Sequence, residues 1–99
     1  MNKIISYIGF AIKSNKVLSG QSVLKHTNKP LYLVLVCSQA SQNLKDLAQN
    51  IANKHKCECI ITKPLLEDLT HIKNIKIIGL LDENLSKAII ENKEKIKIG

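Results

Sequence analysis

Leu31-Tyr32-Leu33-Val34-Leu35-Val36-Cys37 contains no charged residue and no alternation of apolar with polar positions. A strand that buries one face alternates with a period of two, so an unbroken apolar run of this length belongs at the centre of a sheet covered on both sides. Ile75-Lys76-Ile77-Ile78-Gly79-Leu80-Leu81 makes nearly the same demand, and Cys57 to Thr62 supplies a shorter strand. Around these runs the period changes. Ile4, Ile5, Ile8, Ala11 and Ile12 share one side of a helix near the start of the chain, and Leu44, Leu47, Ala48, Ile51 and Ala52 form a stripe on another over about 41–55. Helices alternating with doubly covered strands predict a three-layer α/β/α sandwich.

Boundary residues fill in the rest. Ser14-Asn15-Lys16 breaks the first helix, and Ser19 is placed to cap a second over about 20–27, with Asn28-Lys29-Pro30 ending it. Pro64 suits the first turn of a short helix carrying Leu65, Leu66 and Leu69, and Asp82 can cap a last helix through Ile89 and Ile90. The tail Lys93-Glu94-Lys95-Ile96-Lys97-Ile98 alternates like an edge strand, or is loose. This reads as one domain over 1–99, with its core at about 4–90 and a tail over 91–99.

Hydrophobic residues make up 44% of the chain, and with one Phe, two Tyr and no Trp the core must be aliphatic. Every basic residue except the three His is a Lys, and the distribution is uneven: residues 1–63 hold nine Lys against Asp46 and Glu58, whereas residues 64–99 hold six Lys and six acids. A field of one sign favours polyanions, either nucleic acid or an anionic membrane surface. The Ile4, Ile5, Ile8 and Ile12 stripe is required by the sheet, and the few lysines near it make a weak polybasic anchor, so no membrane role is expected. No run of 18 apolar residues and no signal-like apolar core is present, so the chain reads as cytoplasmic.

Catalytic equipment is missing from the sequence, which predicts a protein that is not an enzyme. His26, His55 and His71 lie near helix ends, no HExxH, GxSxG or P-loop occurs, and the glycines are too scattered for a dinucleotide loop. Glu67-Asp68 and Asp82-Glu83 fit first turns of helices better than a paired-carboxylate mechanism. Cys37, Cys57 and Cys59 sit in strand-like runs as small hydrophobes, and Cys57-Glu58-Cys59 lacks the spacer of a zinc or redox pair. No metal, cofactor or nucleotide is therefore expected.

One constellation points to a ligand. Lys13 and Lys16 precede the helix start Ser19-Gly20-Gln21-Ser22, and Lys25 and Lys29 follow it. Gly20 leaves room for close backbone approach, Gln21 and Ser22 offer donors and acceptors to base edges or sugar hydroxyls, and Lys25 shares their helix face. Free amides and lysines converging there would suit a distorted RNA. Tyr7, Phe10 and Tyr32 are isolated, so the aromatic platform of many single-strand binders is absent, and structured RNA is the favoured target.

The stretches IGFAIKSNKVLSGQSVLKH, LYLVLVCSQASQN, TKPLLEDL and IKIIGLLDENLSKAI, taken in order over roughly residues 4–90, resemble the kink-turn-binding ribosomal protein family of the L-seven-Ae type, particularly its small bacterial YlxQ-like branch. The resemblance implies a three-layer α/β/α sandwich on a small mixed sheet, a non-catalytic role on kinked or otherwise structured RNA, and ribosomal RNA and ribosomal proteins as partners. The family's helix-start pattern G-N-E-x-x-K, which reads the sheared G·A pairs of a kink-turn, falls on Gly20, Gln21, Ser22 and Lys25. Gln21 keeps the amide of the Asn position; Ser22 lacks the carboxylate of the Glu position. The family's second contact, a loop before the last strand that holds protruding nucleotides, falls on a shortened connection, with Pro64, Leu65, Lys73 and Asn74 as its rim. Loss of the carboxylate leaves an alternative open, a protein-interaction or ribosome-assembly module with little RNA preference.

Overall fold

The apolar runs become the two inner strands of a four-stranded sheet. The computed structural model describes residues 3–96, ordered as α1 (Lys3–Lys13), β1 (Val17–Ser19), α2 (Gln21–His26), β2 (Leu33–Cys37), α3 (Gln42–His55), β3 (Glu58–Thr62), α4 (Leu66–Thr70), β4 (Ile77–Leu80), α5 (Glu83–Glu91) and a 3-10 turn (Lys93–Lys95). The strand order is β1-β4-β2-β3. β4 runs antiparallel to both its neighbours, and β2 and β3 are parallel, joined by α3 as the crossover. Every residue of β2 and β4 is buried, as the lack of alternation requires. Helices α2 and α3 cover one face and α1, α4 and α5 the other, so the fold is the expected α/β sandwich on a small mixed sheet.

The cap read from the sequence at Asp82 holds, and α3 has one at Ser41 that the sequence reading did not assign. Ser41 Oγ accepts the Leu44 N–H at 3.2 Å at the start of α3, and the Asp82 carboxylate accepts the Leu85 N–H at 2.8 Å at the start of α5. At the end of α3, Lys56 takes the left-handed conformation with φ 56°, and its N–H caps the last turn.

Three expectations fail. Ser19 is no cap: it ends β1, opposite Ile78, and Gly20 holds the N-cap position with no side-chain hydrogen bond. Pro64 lies outside its helix, before the N-cap Leu65, because its carbonyl accepts the Thr62 hydroxyl at 2.9 Å and so closes a turn at the end of β3. The tail is not an edge strand where it is described. Residues 93–95 form a 3-10 turn that drops Ile96 into the core, and the Lys63 N–H donates to the Ile96 carbonyl, while Lys97 and Ile98 lie outside the described residues.

One buried polar group is unmatched. Ser86, in α5, is 1% exposed, and its hydroxyl has no partner among the described residues. An unsatisfied buried hydroxyl costs about 1 kcal/mol or more, and Ala is also the better helix former. Ser86→Ala is therefore expected to raise the urea midpoint and to lift Tm by about 5 °C; a variant that melts below the parent would contradict this.

Candidate nucleic-acid interface

The sheet register decides what can act together. Gly20 N–H donates to the Ile77 carbonyl at 3.3 Å, and Cys37 N–H donates to the Lys76 carbonyl at 2.8 Å. Ser38 N–H reaches the Thr62 carbonyl at 3.1 Å, so the ends of β1, β2 and β3 and the start of β4 form one rim. With strands about 4.8 Å apart, this rim spans about 15 Å from Gly20 to Lys63.

Gly20 sits at φ 94° and ψ 141°, a conformation that side chains rarely adopt. A Cβ built there would meet nothing within 4 Å, so the backbone faces open space. Gln21 and Ser22 are exposed on the first turn of α2, with Lys25 exposed one turn on. The α4–β4 connection comes to the same rim. There Asn74, at φ 61°, donates its N–H to the Glu67 carboxylate at 2.9 Å, which shapes the loop. Lys73 and Asn74 are exposed, and Pro64 and Leu65 are half-buried at the end of β3. Acids at this rim include Glu67 and Asp68, in the first turn of α4.

The structure does not bring all the expected lysines here. Lys16 opens β1, with its carbonyl accepting the Leu81 N–H at 2.8 Å, and Lys29 lies just before β2, whose start is marked by the Tyr32 N–H donating to the Leu80 carbonyl at 2.9 Å. Both positions are at the opposite end of the sheet from Gly20, and Lys13, at the end of α1, leads into Lys16. The cause is β1, three residues that carry the chain across the sheet between Lys16 and Gly20.

In their place the rim gains Lys63 and Lys76, both exposed, which the sequence reading did not single out. Each stands one residue outside a strand, and that position is the signal that could have found them. Val23, 48% exposed on α2, and Ile72, 36% exposed in the α4–β4 connection, add apolar surface. Phe10, one of the isolated aromatics, is 64% exposed on α1.

Other reactive groups are quiet. Burial raises the Cys57 thiol, and burial, Cys57 and Glu58 together push Cys59 up to about 11, which keeps both thiols protonated near neutral pH. His55 Nδ1 accepts the Leu31 N–H at 3.4 Å. Among the described residues no group of three or more His, Cys, Asp or Glu could hold a metal ion, and no helix is long and apolar enough to cross a membrane.

No family model and no curated protein matches the chain. By structure it is similar to the solved structure of a protein with unknown function from Bacillus halodurans C, with a TM-score of 0.80 over 92% of this chain and 96% of that one, at 20% identity. At that identity the likeness establishes the fold alone.

Proposed function

We propose that the chain is a non-catalytic RNA-binding protein that grips a kinked or otherwise structured RNA, in the manner of the kink-turn-binding family its sequence resembles, with ribosomal RNA as the target and ribosomal proteins as neighbours. The supporting observation is the rim itself, where the open backbone at Gly20 and the exposed Gln21 and Ser22 share one sheet end with Lys73, Asn74 and Lys76. A rigid scaffold carrying donors, acceptors and cations on adjacent loops suits RNA, whose irregular segments are read by shape and base edges while lysines hold phosphates.

In this reading Gly20 lets the backbone approach, the Gln21 amide and the Ser22 hydroxyl meet base edges, and Lys25 neutralises a phosphate. Filter binding of kinked RNA against unbent duplex of the same length is the test. The kinked form is expected to bind at least about tenfold tighter, with Gln21→Ala eroding that preference by about 1 kcal/mol or more and Lys25→Ala weakening both RNAs. Equal affinity for the two RNAs would overturn the reading in favour of a protein-interaction module.

A further inference from the structure

We propose that the end of the sheet opposite Gly20 is a second RNA-binding surface, in which Lys29, Lys54 and Lys56, with His26 and His55, hold the phosphate backbone of duplex RNA; the choice of RNA rests on the function proposed above. Helices α2 and α3 lie side by side and both finish at this end. The Leu31 N–H donates to His55 Nδ1, which ties the segment carrying Lys29 to the last turn of α3. Lys54 and Lys56 flank His55 on either side, and all three lysines are exposed.

Two carboxylates at this end are engaged elsewhere: Glu58, at the start of β3, pairs with Lys93 at 3.1 Å, and Asp82 caps α5 by accepting the Leu85 N–H at 2.8 Å. Residues 20–36 and 47–57 contain no Asp or Glu, and none of the three lysines has an acidic partner among the described residues. Lysines at a helix end often serve the exposed carbonyls. Here that need is already met, because the Lys56 and Cys57 N–H groups bond the carbonyls of Asn53 and Ala52 at 3.2 and 2.9 Å. Lys29 is in no helix at all. Accepting at Nδ1 leaves Nε2 as the protonated nitrogen of neutral His55, a further donor.

The other basic positions do not form such a field. At this same end Lys16 is bonded through its carbonyl to Leu81, which Asp82 and Glu83 follow, and the Gly20 rim includes Glu67 and Asp68. A predominantly basic surface suits sequence-independent contact with phosphates. A duplex arm leaving the rim along α2 and α3 would reach it after about 15 Å, the length of a five-residue strand.

The test compares the full chain with the Lys29→Gln/Lys54→Gln/Lys56→Gln variant, whose exposed positions should leave the melting temperature unchanged. The probe is unbent duplex RNA titrated over a salt range. The variant is expected to bind about tenfold more weakly at low salt, with the slope of log affinity against log salt reduced by about 2–3. Unchanged affinity and slope would overturn the proposal, as would binding of the parent to phosphatidylserine vesicles that the variant loses while its duplex binding is intact. Preference for kinked over unbent RNA is read separately, so its failure counts against the function proposed above and leaves the duplex result to decide this surface.

Discussion

Replacing Lys63, Lys73 and Lys76 together by Gln is expected to weaken binding of a kinked RNA by about a hundredfold, on the basis that each exposed ammonium–phosphate contact contributes about 1 kcal/mol and that 1.4 kcal/mol is a factor of ten. The three side chains are exposed and lie along one rim, so their removal leaves the core untouched. Releasing three phosphates should also flatten the salt dependence by about 2–3 in slope. Selectivity should behave differently from affinity. Phosphate contacts position a nucleic acid while base contacts specify it, so the ratio of kinked to unbent binding should persist as long as Gly20, Gln21 and Ser22 are intact. A salt titration by filter binding checks both quantities, and an unchanged slope would remove these lysines from the interface.

Gly79→Val is expected to destabilise the fold by about 3 kcal/mol, the upper end of what overpacking costs. Gly79 lies in β4 between Leu18 of β1 and Val34 of β2, so it cannot move outward from the sheet. A Cβ there would stand 2.6 Å from a methyl of Leu24 and 2.9 Å from one of Leu31, well inside van der Waals contact. Both leucines are almost fully buried, and Leu24 belongs to α2. Glycine is therefore required here for the close approach of α2 to the sheet. Valine's added methyl groups would lift that helix and carry Gln21 and Ser22 with it. For a domain of this size the change should lower Tm by about 15 °C, measurable by circular dichroism. A variant as stable as the parent would mean that the leucines can repack.

Most of the architecture is legible in the residues because its elements are long or strongly patterned. The stripe of α3 repeats over 14 residues between a Ser cap and a left-handed stop, and β2 announces itself by the absence of any polar alternation. Val17–Ser19 is too short to show a period, and what identifies it as a strand is its partner Ile78–Leu80, more than 50 residues away in the chain. That omission displaced part of the expected site. With no strand between them, Lys16 and Gly20 read as neighbours, whereas β1 sends them to opposite ends of the sheet.

The tail misleads for a different reason. Alternation of Lys with Ile describes an edge strand, but a single deeply buried residue, Ile96, satisfies the apolar demand, and the preceding turn needs no period at all. Gly20 is legible as a point of open backbone because the glycine's freedom is written in its type. Lys63 and Lys76 are legible only in part, since a residue just outside a strand can be picked out locally but its neighbours on the rim follow from the strand order.

The insertion of β4 between β1 and β2 bears on how a nascent chain reaches this state. Neighbouring strands are most often consecutive in the chain, and here the first strand and the second never touch. While the polypeptide is being synthesised, β1 and the β4-facing edge of β2 have no partner in this sheet until Ile77–Leu80 has left the ribosome tunnel. Until then the apolar run of β2 lacks its β4 neighbour, a period in which aggregation competes with folding.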